Sequence, residues 1–127
     1  MTTVRVLSGA LAVLWMGTIY YLSSHPMPEI DLGFSAQDKL VHLLAYGLLG
    51  ALLLGAFRLR PGGYMLRQIA LAALIATLYG LTDEWHQSFV PGRNSDALDV
   101  VADAVGALLG STLLWALARR LSPGPAA

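Results

Sequence analysis

Four long apolar stretches dominate this sequence, and each is long enough to cross a lipid bilayer as a helix. They run over about 4–22, 38–58, 65–87 and 96–118. A transmembrane helix needs about 20 mostly apolar residues, and its backbone polar groups must bond within the segment. Short connections with Pro or Gly separate the stretches, which makes consecutive helices antiparallel neighbours. The sequence therefore predicts an all-α integral membrane protein, a compact antiparallel bundle of four transmembrane helices.

The composition supports this prediction and excludes several other classes of protein. Charged residues make up 13% of the chain, whereas a soluble domain carries about a quarter. The net charge is zero and there is no basic run, so nothing favours a nucleic-acid partner. Cysteine is absent, which excludes disulfides, thiol catalysis and thiolate metal sites. We expect one domain over 1–121 and a disordered cytoplasmic tail over 122–127.

The first apolar stretch is interpreted as a transmembrane helix rather than a signal peptide. A signal peptide has an apolar region of about 7–15 residues followed by a small-x-small cleavage site. Here the apolar region runs over 6–22 and is followed by Ser23-Ser24-His25, which is a poor cleavage site.

The basic residues predict how the bundle is oriented. Six of the eight fall at one end of the predicted bundle: Arg5, Arg58, Arg60, Arg67, Arg119 and Arg120. Lys39 and Arg93 fall at the other end. The positive-inside rule therefore places both termini in the cytoplasm. All eight acidic residues fall toward the opposite, outer end. The positive-inside rule does not require this, because acidic residues contribute little to orientation. We therefore expect a shared polar site at the outer end.

Helical spacing places the polar residues on three faces. Asp38, His42 and Tyr46 form one stripe because residues four apart lie on the same side of a helix. One face of the fourth stretch carries acidic residues at its outer end and glycines at its inner end. We call this face the seam; it comprises Asp96, Asp99, Asp103, Gly106 and Gly110. The third has a face that holds Tyr79, Asp83, His86 and Gln87, with Glu84 beside it. Small residues allow close helix packing, so the seam should face protein.

A purely structural interpretation remains open for part of this set. Asp38, Asp96 and Asp99 lie in predicted first turns, where an acid favours the helix dipole. Lys39 and Arg93 are available as counter-ions, and Tyr46, Tyr79 and Trp85 are typical packing or interface aromatics. The dipole does not explain Asp103, Asp83 or Glu84, and an ionisable residue within a span is a functional candidate by default.

Three motifs resemble the VanZ-like family of small bacterial membrane proteins. They are Asp38-Lys39-x-x-His42-x-x-x-Tyr46, the run Thr82-Asp83-Glu84-Trp85-His86-Gln87-Ser88-Phe89-Val90-Pro91-Gly92-Arg93, and Asp99-Val100-x-x-Asp103-x-x-Gly106-x-x-x-Gly110. The founding member of that family is linked to resistance to the glycopeptide antibiotic teicoplanin. The resemblance implies a cell-envelope role and a contribution to glycopeptide resistance.

We expect an outward-facing polar and acidic site that binds or acts on a cell-envelope component. The residues assigned to acid–base chemistry are His42, Asp83, Glu84 and Asp103. Those assigned to binding are Asp38, Lys39, Tyr46, His86, Gln87, Arg93 and Asp99. His42, Asp83, Glu84, Gln87, Arg93, Asp99 and Asp103 are expected to converge in one outward-opening cavity. Asp38 should lie at its rim, and Asp103, the deepest acid, at its floor.

Several functional alternatives stay open at this stage. The partners expected are the lipid bilayer and either a lipid-linked envelope precursor or a glycopeptide. The Asp, Glu and His set is also suited to a divalent metal, although none is required, so a metal-dependent enzyme on lipid-linked substrates is one alternative. A non-catalytic accessory or scaffold protein with a structural polar cluster is another. A proton or ion path is disfavoured because the inner halves of the third and fourth stretches carry no ionisable residue.

Overall fold

The computed structural model describes residues 2–26, 37–57 and 64–121, and nearly all of them are helical. The helices are α1 (Thr2–Ser23), α2 (Gln37–Ala56), α3 (Tyr64–Gln87) and α4 (Ala97–Leu121). All four are long and apolar enough to cross a membrane and they pack together, so the predicted four-helix membrane bundle is confirmed. The tail predicted over 122–127 lies outside the described residues, as do Arg58 and Arg60.

Helix α2 is the centre of the bundle. It packs most extensively against α4 and also contacts α1 and α3, while α3 packs along α4. By contrast, α1 and α3 touch each other little. This arrangement leaves space between α1 and α3 at the end where α1 and α3 finish and α2 and α4 begin. We call this end of the bundle the polar end.

Glycines allow α2 and α4 to approach closely. A Cβ atom at Gly106 would overlap the backbone of Leu43, and one at Gly110 would overlap the backbone of Gly47. On α2, a Cβ at Gly50 would come within 2.5 Å of the backbone oxygen of Ala107. Small residues are what permit such contact between membrane helices. The predicted seam of Gly106 and Gly110 therefore faces α2, which in turn points Asp99 and Asp103 into the bundle.

Two side-chain hydrogen bonds attach the middle of α1 to the rest of the bundle. Trp15 Nε1 on α1 donates to the backbone oxygen of Ala45 on α2 at 2.8 Å. The hydroxyl of Tyr79 on α3 donates to the backbone oxygen of Met16 at 2.7 Å. The C-terminal end of α1 is joined to α3 by the hydrogen bond from Ser23 to Asp83.

Most long apolar side chains point outward, as expected of a protein surrounded by lipid. Leu14, Leu44 and Leu113 are each more than half exposed, and they belong to three different helices. The buried core is made mainly of small residues such as Ala72, Ala76 and Ala107. A soluble protein rarely exposes contiguous apolar surface on this scale, so this distribution supports a bilayer as the surrounding medium.

Candidate functional site

Buried polar side chains are concentrated at the polar end of the bundle. They are Ser23, His42, Asp83, Glu84, Gln87, Asp99 and Asp103. They divide into two groups that meet at His42. The carboxylate–histidine group lies between α2, α3 and α4 and comprises Asp38, Lys39, His42, Glu84, Asp99 and Asp103. The second group lines a cavity between α1, α2 and α3.

His42 is placed between acids from two other helices. Its Nδ1 lies 2.9 Å from Asp103 Oδ1 on α4, and its Nε2 lies 3.8 Å from Glu84 Oε1 on α3. An ionised carboxylate only accepts hydrogen bonds, so with Asp103 ionised Nδ1 is the donor of this bond. The distance to Glu84 is too long for a hydrogen bond. Asp103 thereby fixes the orientation of the imidazole ring.

Asp103 packs directly against the backbone of α3 at Gly80, where there is no side chain. Its Oδ2, Cγ and Cβ atoms occupy the space that a Cβ atom at Gly80 would fill. Asp103 has no exposed surface, and Oδ2 has no hydrogen-bond partner among the described residues. The carboxylate is therefore packed between His42 and the backbone of α3.

The start of α4 is tied to both α2 and α3 by charged groups. Lys39 Nζ on α2 lies 2.7 Å from Asp96 Oδ2 and 3.1 Å from Asp99 Oδ1. Asp96 Oδ1 accepts a hydrogen bond from the backbone N–H of Leu98 at 2.9 Å, so Asp96 is the N-cap of α4 rather than a first-turn residue, because α4 begins at Ala97. The hydrogen bonds from Lys39 and from Leu98 lower the pKa of Asp96.

Glu84 uses one of its two oxygens in this connection. Its Oε2 accepts a hydrogen bond from the backbone N–H of Asp96 at 2.8 Å. Its Oε1 is buried and has no hydrogen-bond partner among the described residues. Glu84 thus supports the segment before α4 and leaves an unpaired acceptor directed at His42.

Asp38, His42 and Asp99 place their side-chain ligand atoms close enough together to bind one metal ion. Each offers one ligand atom, and these atoms lie within 4.8 Å of one another. His42 and Asp99 are buried, whereas Asp38 is half-buried. Asp38 Oδ1 is nevertheless enclosed, with no hydrogen-bond partner among the described residues.

The cavity between α1, α2 and α3 has a volume of about 350 Å³. Its walls are mainly apolar and include Ile19, Leu22, Val41, Ala45 and Tyr46. The polar side chains on its surface are Ser23, His25, Gln37, His42, Asp83, Gln87 and Arg93. A surface that joins apolar walls to a few convergent polar groups is typical of a ligand-binding site.

Asp83 is the acid on the cavity surface, and both of its oxygens are hydrogen-bonded. Oδ1 accepts from the hydroxyl of Ser23 on α1 at 2.5 Å, and Oδ2 accepts from Gln87 Nε2 at 3.0 Å. Tyr46 lies next to this pair, with its ring parallel to His42 at a centroid distance of 6.1 Å. The Tyr46 hydroxyl is buried and has no hydrogen-bond partner among the described residues. The Tyr46 hydroxyl therefore lies beside Asp83 at the buried end of the cavity.

Arg93 and His86 bond to α1 rather than to the acids. Arg93 donates from Nε to the backbone oxygen of His25 and from Nη2 to that of Leu22, both at 2.8 Å. It therefore caps the C-terminus of α1, where carbonyl groups lack partners within the helix. Among the described residues Arg93 forms no ion pair, whereas Lys39 pairs with Asp96 and Asp99. His86 lies 3.0 Å from Ser24 Oγ and packs on the ring of Tyr20.

The structure brings the predicted residues to one end but does not place them in one cavity. His42, Asp83, Gln87 and Arg93 line the cavity, whereas Glu84, Asp99 and Asp103 lie behind His42. Successive residues of a helix point about 100° apart, so Asp83 faces α1 while Glu84 faces α2 and α4. Asp103 does not form the cavity floor, and Asp38 is not among the lining residues.

Sequence reasoning missed several residues that shape the site. The sequence did not indicate that Ser23 would bond to Asp83, because its only notable feature is its position at the end of an apolar stretch. Nothing distinguished Gly80 from the other glycines of the chain. The weak contact between α1 and α3 also has no signature in the pattern of either helix. Spacing within one helix predicts which residues share a face, but it does not say which neighbouring helix that face meets.

Comparison with known proteins gives one match. The model of the VanZ/LLP1 family matches residues 8–119, which includes every residue of both groups. No curated protein matches, and no solved structure matches.

Proposed function

This chain belongs to the VanZ/LLP1 family, and from that premise we propose that its cavity binds the polar head of an amphipathic cell-envelope molecule. One observation carries the proposal. The cavity between α1, α2 and α3 combines apolar walls with buried polar side chains at one end of a membrane bundle. Such a surface suits an amphipathic molecule with an apolar chain and a polar headgroup.

The size of the cavity limits how much of the molecule it holds. About 350 Å³ is at the low end of the range for small-molecule sites, roughly 300–1,000 Å³. It accommodates a headgroup and the first part of a chain. Leu22 and Val41 line the cavity and are about half exposed, so the rest of an apolar chain can continue into the bilayer beside them.

The polar groups favour a phosphate-bearing head, as in a lipid-linked envelope precursor. Arg93 lies on the cavity surface and uses two N–H groups on the carbonyls of α1. A guanidinium has five N–H donors, so it retains donors for an anion. The hydroxyl of Tyr46, which has no hydrogen-bond partner of good geometry among the described residues, is a further potential donor. Asp83 is engaged by Ser23 and Gln87, which reduces its repulsion of a bound anion.

In this proposal the cavity opens at the outer surface of a bacterial cytoplasmic membrane, with both termini in the cytoplasm. Among the described residues, Arg5, Arg67, Arg119 and Arg120 lie at the end opposite the cavity. Lys39 and Arg93 lie at the cavity end. The positive-inside rule supports this orientation, which exposes the site to envelope components.

A contribution to glycopeptide tolerance is the cellular role that we propose for this binding. The support is the resemblance of the three sequence motifs to the founding teicoplanin-resistance protein of the VanZ-like family. Binding a lipid-linked envelope precursor would act on the pathway that a glycopeptide blocks, and binding the glycopeptide itself would act on the drug. Either ligand presents a polar portion to the same outer cavity.

Acid–base chemistry at His42 is a second candidate, and one observation favours it. His42 lines the cavity, and Asp103 fixes its ring through Nδ1, so Nε2 would have to turn from Glu84 toward the cavity to exchange a proton with a ligand. A carboxylate that orients an imidazole is a recurrent device for proton transfer. Under this candidate Asp103→Asn would abolish turnover of a bound ligand while leaving its binding nearly unchanged. A purely binding protein would show no turnover to lose.

Binding is tested with undecaprenyl phosphate as the probe. The detergent-purified protein is titrated with this lipid and the complex is measured by native mass spectrometry. Ala45 lines the cavity, so Ala45→Phe should fill it and reduce binding at least about tenfold, the ratio that corresponds to 1.4 kcal/mol. The matched control is Ala70→Phe, because Ala70 is exposed on α3. Equal binding by the two variants would contradict the proposal.

A further inference from the structure

We infer that Asp38, His42 and Asp99 form a binding site for one divalent cation at the polar end of the bundle, with Glu84 as a supporting acid beside His42. The site lies between α2, α3 and α4. It shares His42 with the lipid cavity, but the inference does not depend on what that cavity binds.

The first observation is an excess of negative charge in a buried place. Glu84, Asp99 and Asp103 are each less than 5% exposed, and Asp38 adds a fourth carboxylate. Within the described residues Lys39 is the lysine or arginine that pairs with this group, and part of its charge is directed to Asp96. Buried charge without compensation is strongly unfavourable. A bound divalent cation would reduce this excess of negative charge.

The second observation is the placement of the two ring nitrogens of His42. Nδ1 is hydrogen-bonded to Asp103, and Nε2 faces Glu84 Oε1 at 3.8 Å. In the neutral ring with the proton on Nδ1, Nε2 carries a lone pair that can bind a metal ion. Histidine ligands of metals commonly donate their other ring N–H to a carboxylate, and the His42–Asp103 pair has this arrangement.

The third observation is that one carboxylate oxygen of Glu84 lacks a hydrogen-bond partner. Glu84 is 4% exposed, yet Oε1 has no hydrogen-bond partner among the described residues. Asp38 Oδ1 is unsatisfied in the same way. Native proteins rarely leave buried acceptors unpaired, so two such oxygens beside one imidazole nitrogen indicate a missing positive partner.

The distances suit ligands of a single ion. Two ligand atoms at about 2.0–2.2 Å from one metal can lie up to roughly 4 Å apart, and His42 Nε2 and Glu84 Oε1 are 3.8 Å apart. The ligand atoms of Asp38, His42 and Asp99 lie within 4.8 Å of one another. A set of carboxylates with one imidazole suits Mn²⁺ or Zn²⁺. A cation here would join α2, α3 and α4 and set the position of His42 on the cavity wall.

The test uses Mn²⁺ alone, with no lipid ligand added. The purified protein is treated with EDTA, dialysed, and titrated with Mn²⁺ while the signal of free Mn²⁺ is followed by electron paramagnetic resonance. We expect one Mn²⁺ bound per chain, competition by Zn²⁺, and nitrogen coupling from an imidazole in the electron spin-echo spectrum. This last readout reports on wild-type protein and does not depend on any variant folding.

Two neighbouring acids provide a matched pair of variants. Glu84→Gln should weaken Mn²⁺ binding by about tenfold or more, as expected when a metal site loses one of its supporting groups. Asp83→Asn should bind Mn²⁺ as the wild type does, because both oxygens of Asp83 are already engaged by Ser23 and Gln87. The inference is overturned if folded wild-type protein binds no Mn²⁺ or Zn²⁺. It is also overturned if both variants lose affinity equally or if the bound Mn²⁺ shows no nitrogen coupling.

Discussion

The carboxylate of Asp103 on α4 lies in the space that a side chain at Gly80 on α3 would occupy. The same carboxylate accepts a hydrogen bond from His42 on α2. A missing side chain on one helix thus sets the position of an acid on a second helix and of an imidazole on a third. The orientation of His42 depends on how closely α3 and α4 pack.

Gly80→Ala should therefore destabilise the protein by forcing Asp103 to move. Overpacking a close-packed site costs about 1–3 kcal/mol, and the change should appear as a lower melting temperature in detergent. Gly17→Ala is the control, because nothing lies within 4 Å of a Cβ at that position. Asp103→Ala removes the overlapping atoms, so the double variant should lose less stability than the sum of the single changes. Strict additivity would contradict this contact.

Gly110→Ala should destabilise the contact between α2 and α4. A Cβ atom at this position would overlap the backbone of Gly47, and a backbone cannot move aside as the end of a side chain can. The expected loss of unfolding free energy is about 1–3 kcal/mol, measured by thermal melting and compared again with Gly17→Ala. An unchanged melting temperature would mean that the seam on α4 does not pack against α2.

Asp96 is expected to act mainly as a helix cap rather than as half of an ion pair. Asn is as good an N-cap as Asp, whereas Ala cannot accept the bond from Leu98. Exposed ion pairs contribute little to stability. The melting temperature of Asp96→Asn should therefore stay near that of the wild type, and that of Asp96→Ala should fall. If both variants fall equally, the pair with Lys39 is the more important contact.

The orientation in the membrane is tested by single cysteines in this naturally cysteine-free chain. Ser24→Cys and Ser95→Cys lie at the polar end and should react with an impermeant maleimide in intact cells. Arg120→Cys lies at the other end and should react only after the cells are opened. The reverse labelling pattern would place the cavity on the cytoplasmic side and remove the support for an envelope ligand.

The bundle was predictable from the sequence because lipid makes apolar length a strong signal. Four long, mostly apolar stretches allow few alternatives, and the spacing of Gly106 and Gly110 identified a packing face. That face also predicts that Asp99 and Asp103 point inward. The acids and His42 were predictable as a set because their burial in a membrane protein has a large cost that demands partners.

The division of the site into two groups was not predictable in the same way. Whether Asp83 or Glu84 faces the cavity depends on the rotation of α3 relative to α1 and α2, which no spacing within α3 determines. The bonds from Arg93 to the end of α1 were not predictable either, because a basic residue near acids is typical of an ion pair. In the structure, unpaired carbonyls at the end of α1 are closer to it.

The most direct test of the central claim is the teicoplanin tolerance of a susceptible bacterial host that expresses this protein. Wild-type protein should raise the inhibitory concentration. His42→Ala and the cavity-filling Ala45→Phe should abolish the increase at normal membrane levels. Ser111→Ala is a control because Ser111 is buried on α4 and its hydroxyl has no hydrogen-bond partner among the described residues, and Ala70→Phe is the control for added bulk. Both controls should match the wild type. Full tolerance in cells that carry His42→Ala or Ala45→Phe, or no tolerance conferred by the wild type, would contradict a functional site in this cavity.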